Sequence, residues 1–167
     1  RYAALCQEAK IVPIVEPEVL MDGDHTADRC FEVTEATLRA VFNRLALHNV
    51  NLEGTILKPN MIVSGKKCPK QAGVEEVAEK TIACFKRVVP AAIPGIVFLS
   101  GGQSDEAATA HLNAMNAIGR FPWKMSFSYG RPPQAAPQKP RPGQPDIVPS
   151  AQQPSLPPTT TRRPHAH

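Results

Sequence analysis

Three times in succession a short apolar run breaks at a turn and gives way to helical periodicity, and a fourth such run follows. The first is IVPIV (11–15), ended by Glu16-Pro17-Glu18 and by the turn chemistry of Asp22-Gly23-Asp24. Beyond it Cys30, Val33, Leu38, Val41, Phe42 and Leu45 fall near helical spacing, which predicts a helix over 26–49. The second run, LEGTILKPNM (52–61), is broken at Pro59 and leads through a polar loop to a helix expected over 74–89. Its stripe is Val74, Val77, Ala78, Ile82 and Phe85, and Pro90 stops it. The third, GIVFLS (95–100), is apolar throughout, as a strand buried on both faces should be. It passes Gly101-Gly102 into a helix expected over 107–117, with Ser104 as N-cap and Asp105 and Glu106 at the positive end of the helix dipole. The fourth, KMSFSY (124–129), ends at Gly130-Arg131.

A strand joined to its neighbour by a helix has to cross back over the sheet, so the strands are expected to be parallel. Four such units amount to half of a closed (β/α)₈ TIM barrel, which needs about 250 residues. The predicted fold class is therefore α/β, a parallel barrel of which only one half is present. An open four-stranded α/β sheet is the alternative; it would be small, and no Gly-x-Gly-x-x-Gly loop follows the first run. Arg1-Tyr2-Ala3-Ala4-Leu5 reads as the last turns of a helix, which suggests a start inside a larger domain.

The repeat fails after Arg131. Residues 132–167 hold 11 of the 18 prolines and no aromatic residue, and Pro132, Pro133, Pro137, Pro140 and Pro142 cannot supply helical N–H groups. So little apolar surface cannot offset an ordering cost of roughly 1–2 kcal/mol per residue, so this tail is expected to be disordered with polyproline II leanings. Two domains follow, 1–131 and 132–167. The tail also contributes most of the net charge of +4, leaving the first 131 residues near neutrality. Basic residues scattered in this way do not build a nucleic-acid face. No run of about 18 apolar residues exists for a membrane span, and the chain reads as soluble and cytoplasmic. Cys6, Cys30, Cys68 and Cys84 match no zinc spacing and suit reduced, packed thiols.

In parallel barrels side chains converge where strands end and helices begin. The four runs end there in Glu16 and Glu18, in Lys58, in Ser100 with two glycines, and in Ser128, Gly130 and Arg131. Any one of these would more often be a solvated or salt-bridged residue than a catalyst; the set is what points to chemistry. Lys58 closes an apolar run and is pinned by Pro59, and a crowded, partly dry mouth suits an amine that must act unprotonated. Such an amine can attack a ketone and form a Schiff base, an electron sink for breaking or making the adjacent C–C bond. Glu16, one strand away, is placed to shuttle the protons, with Glu18 orienting it or binding a neighbouring cation. Ser100-Gly101-Gly102 before a helix, with Gly130-Arg131, has the composition of a phosphate cradle, although a tight turn explains the glycines equally well.

Weaker candidates remain. His25, His48 and His111 show no ligand spacing and are expected in surface or capping roles, so no metal is anticipated. Phe121 and Trp123 read as core. Lys139, Pro142 and Pro145 fit a basic ligand for a polyproline-recognising domain, a pattern that proline-rich disorder also yields by chance.

IVPIVEPEVL, the DGDH turn, LEGTILKPNM, FLSGGQS and FSYGR, in that order and spacing from Arg1 to Arg131, strongly resemble the class I fructose-bisphosphate aldolases. The resemblance implies a (β/α)₈ barrel with these strands as its fifth to eighth. It implies reversible cleavage of fructose 1,6-bisphosphate to dihydroxyacetone phosphate and glyceraldehyde 3-phosphate in glycolysis and gluconeogenesis, without a metal, in a homo-oligomer. Lys58 matches the Schiff-base lysine and Glu16 the acid/base; Ser100, Gly101, Gly130 and Arg131 match phosphate-binding groups. HTADRCFEVTEATLRAVFNRLALHN and MIVSGKKCPKQ look closer to bacterial than to animal members. The family's first four strands, with further active-site residues, have no counterpart here. The proline-rich tail stands where a last helix and a C-terminal arm would follow, and reads as a foreign continuation. The isolated fragment is expected to be inactive. Another Schiff-base lyase of the same fold, or a non-catalytic interaction protein using the tail, remains open.

Overall fold

Four strands, β1 (Ile14–Val15), β2 (Ile56–Leu57), β3 (Gly95–Phe98) and β4 (Lys124–Phe127), pair in parallel and in chain order. The structure is a computed structural model and describes residues 1–128. Gly130, Arg131 and the proline-rich tail lie outside the described residues. A helix α1 (Tyr2–Glu8) precedes β1, and α2 (Ala27–Leu47), α3 (Val74–Val88) and α4 (Asp105–Ile118) join each strand to the next. Strand order never reverses, which sets this sheet apart from a doubly wound one.

Local chemistry explains the helix limits. Thr26 caps α2 by accepting from the Arg29 N–H at 3.2 Å, and Ser104 caps α4 by accepting from Ala107 at the same distance. α3 carries Glu75 and Glu76 in its first turn and Lys86 and Arg87 in its last, each set complementing the helix dipole. Strand lengths depart from expectation. The predicted second strand is two residues long because Leu52–Gly54 winds into a 3₁₀ turn held by Asn51, and Pro59 removes the next donor.

Alternation sorts the two faces of the sheet. Val15, Leu57, Ile96, Phe98 and Met125 are buried beneath the helices, and Phe98 stacks on Phe85 of α3 with ring centroids 5.8 Å apart. A fully buried side chain of that size contributes on the order of 2–3 kcal/mol. α3 packs between α2 and α4, buries Val77, Ala78, Thr81, Ile82, Cys84 and Phe85, and is tied to α2 by Arg87–Glu35 at 3.2 Å and by Lys80–Asp28. On the opposite face Ile14 is exposed and Ile56 and Val97 are half-buried. One covered and one open face, with strands in chain order, is the arrangement of consecutive barrel units and not of a sheet sandwiched between two helix layers.

Candidate active site

The register that pairs Val15 with Leu57 brings the next residues, Glu16 and Lys58, level with each other on adjacent strands. The ladder continues past the last regular pair, since the Lys58 N–H donates to the Val15 carbonyl at 2.7 Å. Leu57 is level with Ile96 and Val97 with Ser126, so Glu16, Lys58, Val97 and Ser126 form one row across the open face. Side-chain period two turns this row away from the helices.

In that row the Lys58 ammonium lies 3.0 Å from Glu16 Oε1. The lysine side chain is 20% exposed and the glutamate 46%, so the pair sits half out of the sheet with the amine as its more sheltered member. The contact is short enough for direct proton exchange. Its partner is thus a carboxylate. Glu18 is exposed and has no hydrogen-bond or ion-pair partner among the described residues, so the structure does not join it to Glu16 or Lys58. The segment that carries both glutamates is nevertheless tied down: the Val19 N–H donates to Asn60 Oδ1 at 3.0 Å.

Ser100, Gly101 and Gly102 form a turn at the end of β3. Gly101 and Gly102 have φ of +60° and +84°, conformations that disfavour any side chain, which is why glycine stands at both positions. The Ser100 carbonyl accepts from both nitrogens of Gln103, from the backbone N–H at 3.1 Å and from Nε2 at 2.9 Å. The N–H groups of the two glycines have no acceptor among the described residues. The Ser128 N–H donates to the Phe98 carbonyl at 2.8 Å, which brings the end of β4 alongside the end of β3.

Some members of this region carry no clear mark in the sequence. Lys66 Nζ, paired with Asp22 at 2.9 Å, lies 2.9 Å from where a Cβ on Gly102 would stand. The loop bearing Lys66 is stitched to the DGDH turn by Lys66 N–H to Met21 and Lys67 N–H to Gly23, both at 2.8 Å. His111 corrects its expected surface or capping role. It is buried in α4 and meets Gln103 Oε1 at 2.6 Å, and burial pushes its pKa below the ordinary histidine range. Its position on the buried stripe with Ala108, Leu112 and Met115 is the signal that spacing offered. Cys30, Cys68 and Cys84 are buried free thiols, as packed cysteines should be, with Cys6 partly exposed.

Comparison with known proteins adds a family to this geometry. The family model described as "Fructose-bisphosphate aldolase class-I" matches residues 1–162 and so reaches past Arg131, where the motifs read in the sequence stop. A "Probable fructose-bisphosphate aldolase class 1" from Xanthomonas campestris is 65% identical over 136 residues, covering 81% of this chain and 41% of the relative. "Fructose-bisphosphate aldolase B" from Gallus gallus is 56% identical over 137 residues, covering 81% of this chain and 38% of that protein. Among solved structures, that of fructose-bisphosphate aldolase from Plasmodium falciparum, in complex with TRAP and a small-molecule inhibitor, superposes with a TM-score of 0.89 at 44% identity. It covers 92% of this chain and 44% of that one. The chain thus spans about two fifths of the length of the curated relatives it matches. No helix among the described residues is long and apolar enough to cross a membrane.

Proposed function

The chain belongs to the class I fructose-bisphosphate aldolase family, and from that premise we propose that it supplies the Schiff-base half of a lyase site for fructose 1,6-bisphosphate. The products are dihydroxyacetone phosphate and glyceraldehyde 3-phosphate, and the reaction is reversible. One observation carries the reading: Lys58 Nζ stands 3.0 Å from Glu16 Oε1 at the ends of adjacent strands on the open face.

That distance suits the proton traffic the chemistry demands. Lys58 must lose a proton before its nitrogen can attack the ketone carbon, and Glu16 is within reach to take it. The carbinolamine hydroxyl must then leave as water, and the protonated Glu16 can donate to it. The resulting iminium draws electrons from the bond being cleaved, so the covalent intermediate itself supplies the electron sink and the reaction calls for no metal. Ser100 and Gly101, with Gly130 and Arg131, bind the phosphate of the substrate, consistent with glycine N–H groups at the end of β3 that have no acceptor among the described residues. Glu18 has a lesser role at the rim, either toward Glu16 or toward a bound cation. The protein acts in the cytoplasm as a homo-oligomer, as the family resemblance implies.

Borohydride reduction of the intact protein in the presence of dihydroxyacetone phosphate tests the assignment. A stable adduct should map to Lys58 and be absent from Lys58→Met; an adduct that survives that substitution removes the proposal.

A further inference from the structure

We infer that Gln103 and His111 are positioning residues that set the shape of the Ser100-Gly101-Gly102 turn, and through it the affinity of the site for a phosphate group. The inference rests on the phosphate-binding reading of that turn. His111 lies two helical turns into α4, on its buried face, and reaches back to the residue just before the helix cap. Gln103 then grips the Ser100 carbonyl twice, by backbone N–H and by Nε2, across the two glycines.

The roles of the atoms follow from donor and acceptor bookkeeping. Gln103 Nε2 faces two acceptors, the Ser100 carbonyl at 2.9 Å and Met61 Sδ at 3.6 Å, so the amide nitrogen belongs on that side. Oε1 therefore faces His111 Nδ1 at 2.6 Å, and the imidazole must carry its proton on Nδ1 and donate. The chain runs imidazole N–H to amide oxygen, amide N–H to carbonyl. Each bond orients the next, and the last one fixes a turn whose glycine N–H groups are left without a described acceptor.

The direction of the Gln103 side chain is what makes this more than helix capping. Ser104, not Gln103, caps α4, and the helix already has its acidic first turn. Gln103 bends away from the helix toward the strand end and bridges β3 to Met61 of the preceding unit. Two glycines at positive φ have many conformations open to them, so a turn built on them needs an external clamp to present its N–H groups in one arrangement.

Inorganic phosphate is the probe, measured as a competitive inhibitor of fructose 1,6-bisphosphate cleavage by the intact protein. Gln103→Met keeps the side-chain length and removes the amide; His111→Leu keeps bulk and removes the donor. Each should raise the phosphate inhibition constant and the KM about fivefold to tenfold, the effect of one lost hydrogen bond, with KM rising more than kcat falls. The double variant should match the single ones, because the two side chains act in series. His111→Asn, whose amide can donate from near the Nδ1 position, should restore phosphate affinity. Should His111→Leu fail to fold, the contrast between Gln103→Met and His111→Asn still decides. A Gln103→Met protein with unaltered inhibition by phosphate, or a double variant whose losses multiply, overturns the positioning role. Ser100→Ala separates the premise: if it raises the inhibition constant while Gln103→Met does not, the phosphate site stands and the clamp falls; if it has no effect, both fall.

Discussion

Asn60 and Thr34 meet in a buried hydrogen bond, Nδ2 to Oγ1 at 3.1 Å, that joins the end of β2 to the middle of α2. The same amide holds the Met61 carbonyl at 3.0 Å and, through its oxygen, the Val19 N–H at 3.0 Å. Asn60 sits two residues past Lys58 and its carbonyl oxygen holds the segment just past Glu18, so one side chain ties together the two strand ends that carry the amine and its carboxylate.

Removing that amide should therefore cost stability and chemistry together. Asn60→Leu takes a partner from the buried Thr34 hydroxyl and Met61 carbonyl and from the part-buried Val19 N–H, a loss of about 2–4 kcal/mol by urea denaturation. Thr34→Val breaks the Asn60 link and a weak contact with Cys30 Sγ at 3.9 Å, while Asn60 keeps Met61 and Val19, and should cost about 1 kcal/mol. If the tether matters to the site, Asn60→Leu also slows borohydride trapping at Lys58 in protein that remains folded, and Thr34→Val does so less. Equal trapping rates in both would show that the segment holds Glu16 in place without Asn60.

For the ion pair itself the expected ordering is clear. Glu16→Gln cannot accept the lysine proton and should lower kcat by about 10²–10⁴-fold, the range of general acid–base catalysis. Glu18→Gln, which alters a carboxylate with no described partner, should retain far more activity. Steady-state kinetics on the intact protein measure both; a Glu18→Gln enzyme slower than Glu16→Gln would reverse the assignment of roles.

The βα repeat and its parallel sheet could be read from the alternation of β-branched runs and helical stripes, because burial imposes those periods directly. Glu16 and Lys58 were legible for the same reason: each ends an apolar run, and parallel register does the rest. Gln103 and His111 were not. Their contact depends on α4 turning one buried polar group back toward the strand end, which spacing alone does not distinguish from a core histidine. Lys66 was hidden by distance, since only the stitching of its loop to the DGDH turn brings it to Gly102. The short length of β2 leaves no mark in the apolar pattern, because Asn51 and Pro59 compete locally with the ladder.

Phe85 offers a test of the core that shapes this face. It is fully buried and stacks on Phe98, so Phe85→Ala should destabilise by about 3–5 kcal/mol, while Phe85→Leu, which fills most of the volume, should cost clearly less. Denaturant midpoints at constant slope would report this. A loss under about 1 kcal/mol in the alanine variant would mean that α3 does not bear on β3 as described.

Burial also governs the thiols. It pushes Cys84 up to about 12, with the Glu35 carboxylate adding to the effect, and the side chain is inaccessible. Only the thiolate reacts, so at pH ~8 native Cys84 should be alkylated at least ~10³-fold more slowly than in urea. Peptide mapping after timed iodoacetamide labelling measures it. Rapid labelling of Cys84 in the native state would require local opening of α3.

The pKa of His111 is lowered by desolvation, and the sign of its effect on stability follows from proton counting. Below the ordinary histidine value of about 6.5 the unfolded chain takes up a proton at this position while the folded chain, holding the neutral ring, does not. Folding is therefore weakened progressively as pH falls from about 6.5 toward the depressed folded-state value, and the loss levels off once that value is passed. Above about 6.5 the ring is neutral in both states and contributes no slope. His111→Asn removes the titration and keeps a donor for Gln103, so the stability difference between wild type and variant should shift in favour of the variant as the medium is acidified from pH ~7.5 to ~5. Urea midpoints taken across that range would measure it. A difference that stays flat would mean that the folded ring takes up its proton as readily as the unfolded one, and a difference that moves toward the wild type would mean that the hydrogen bond to Gln103 is made by an imidazolium.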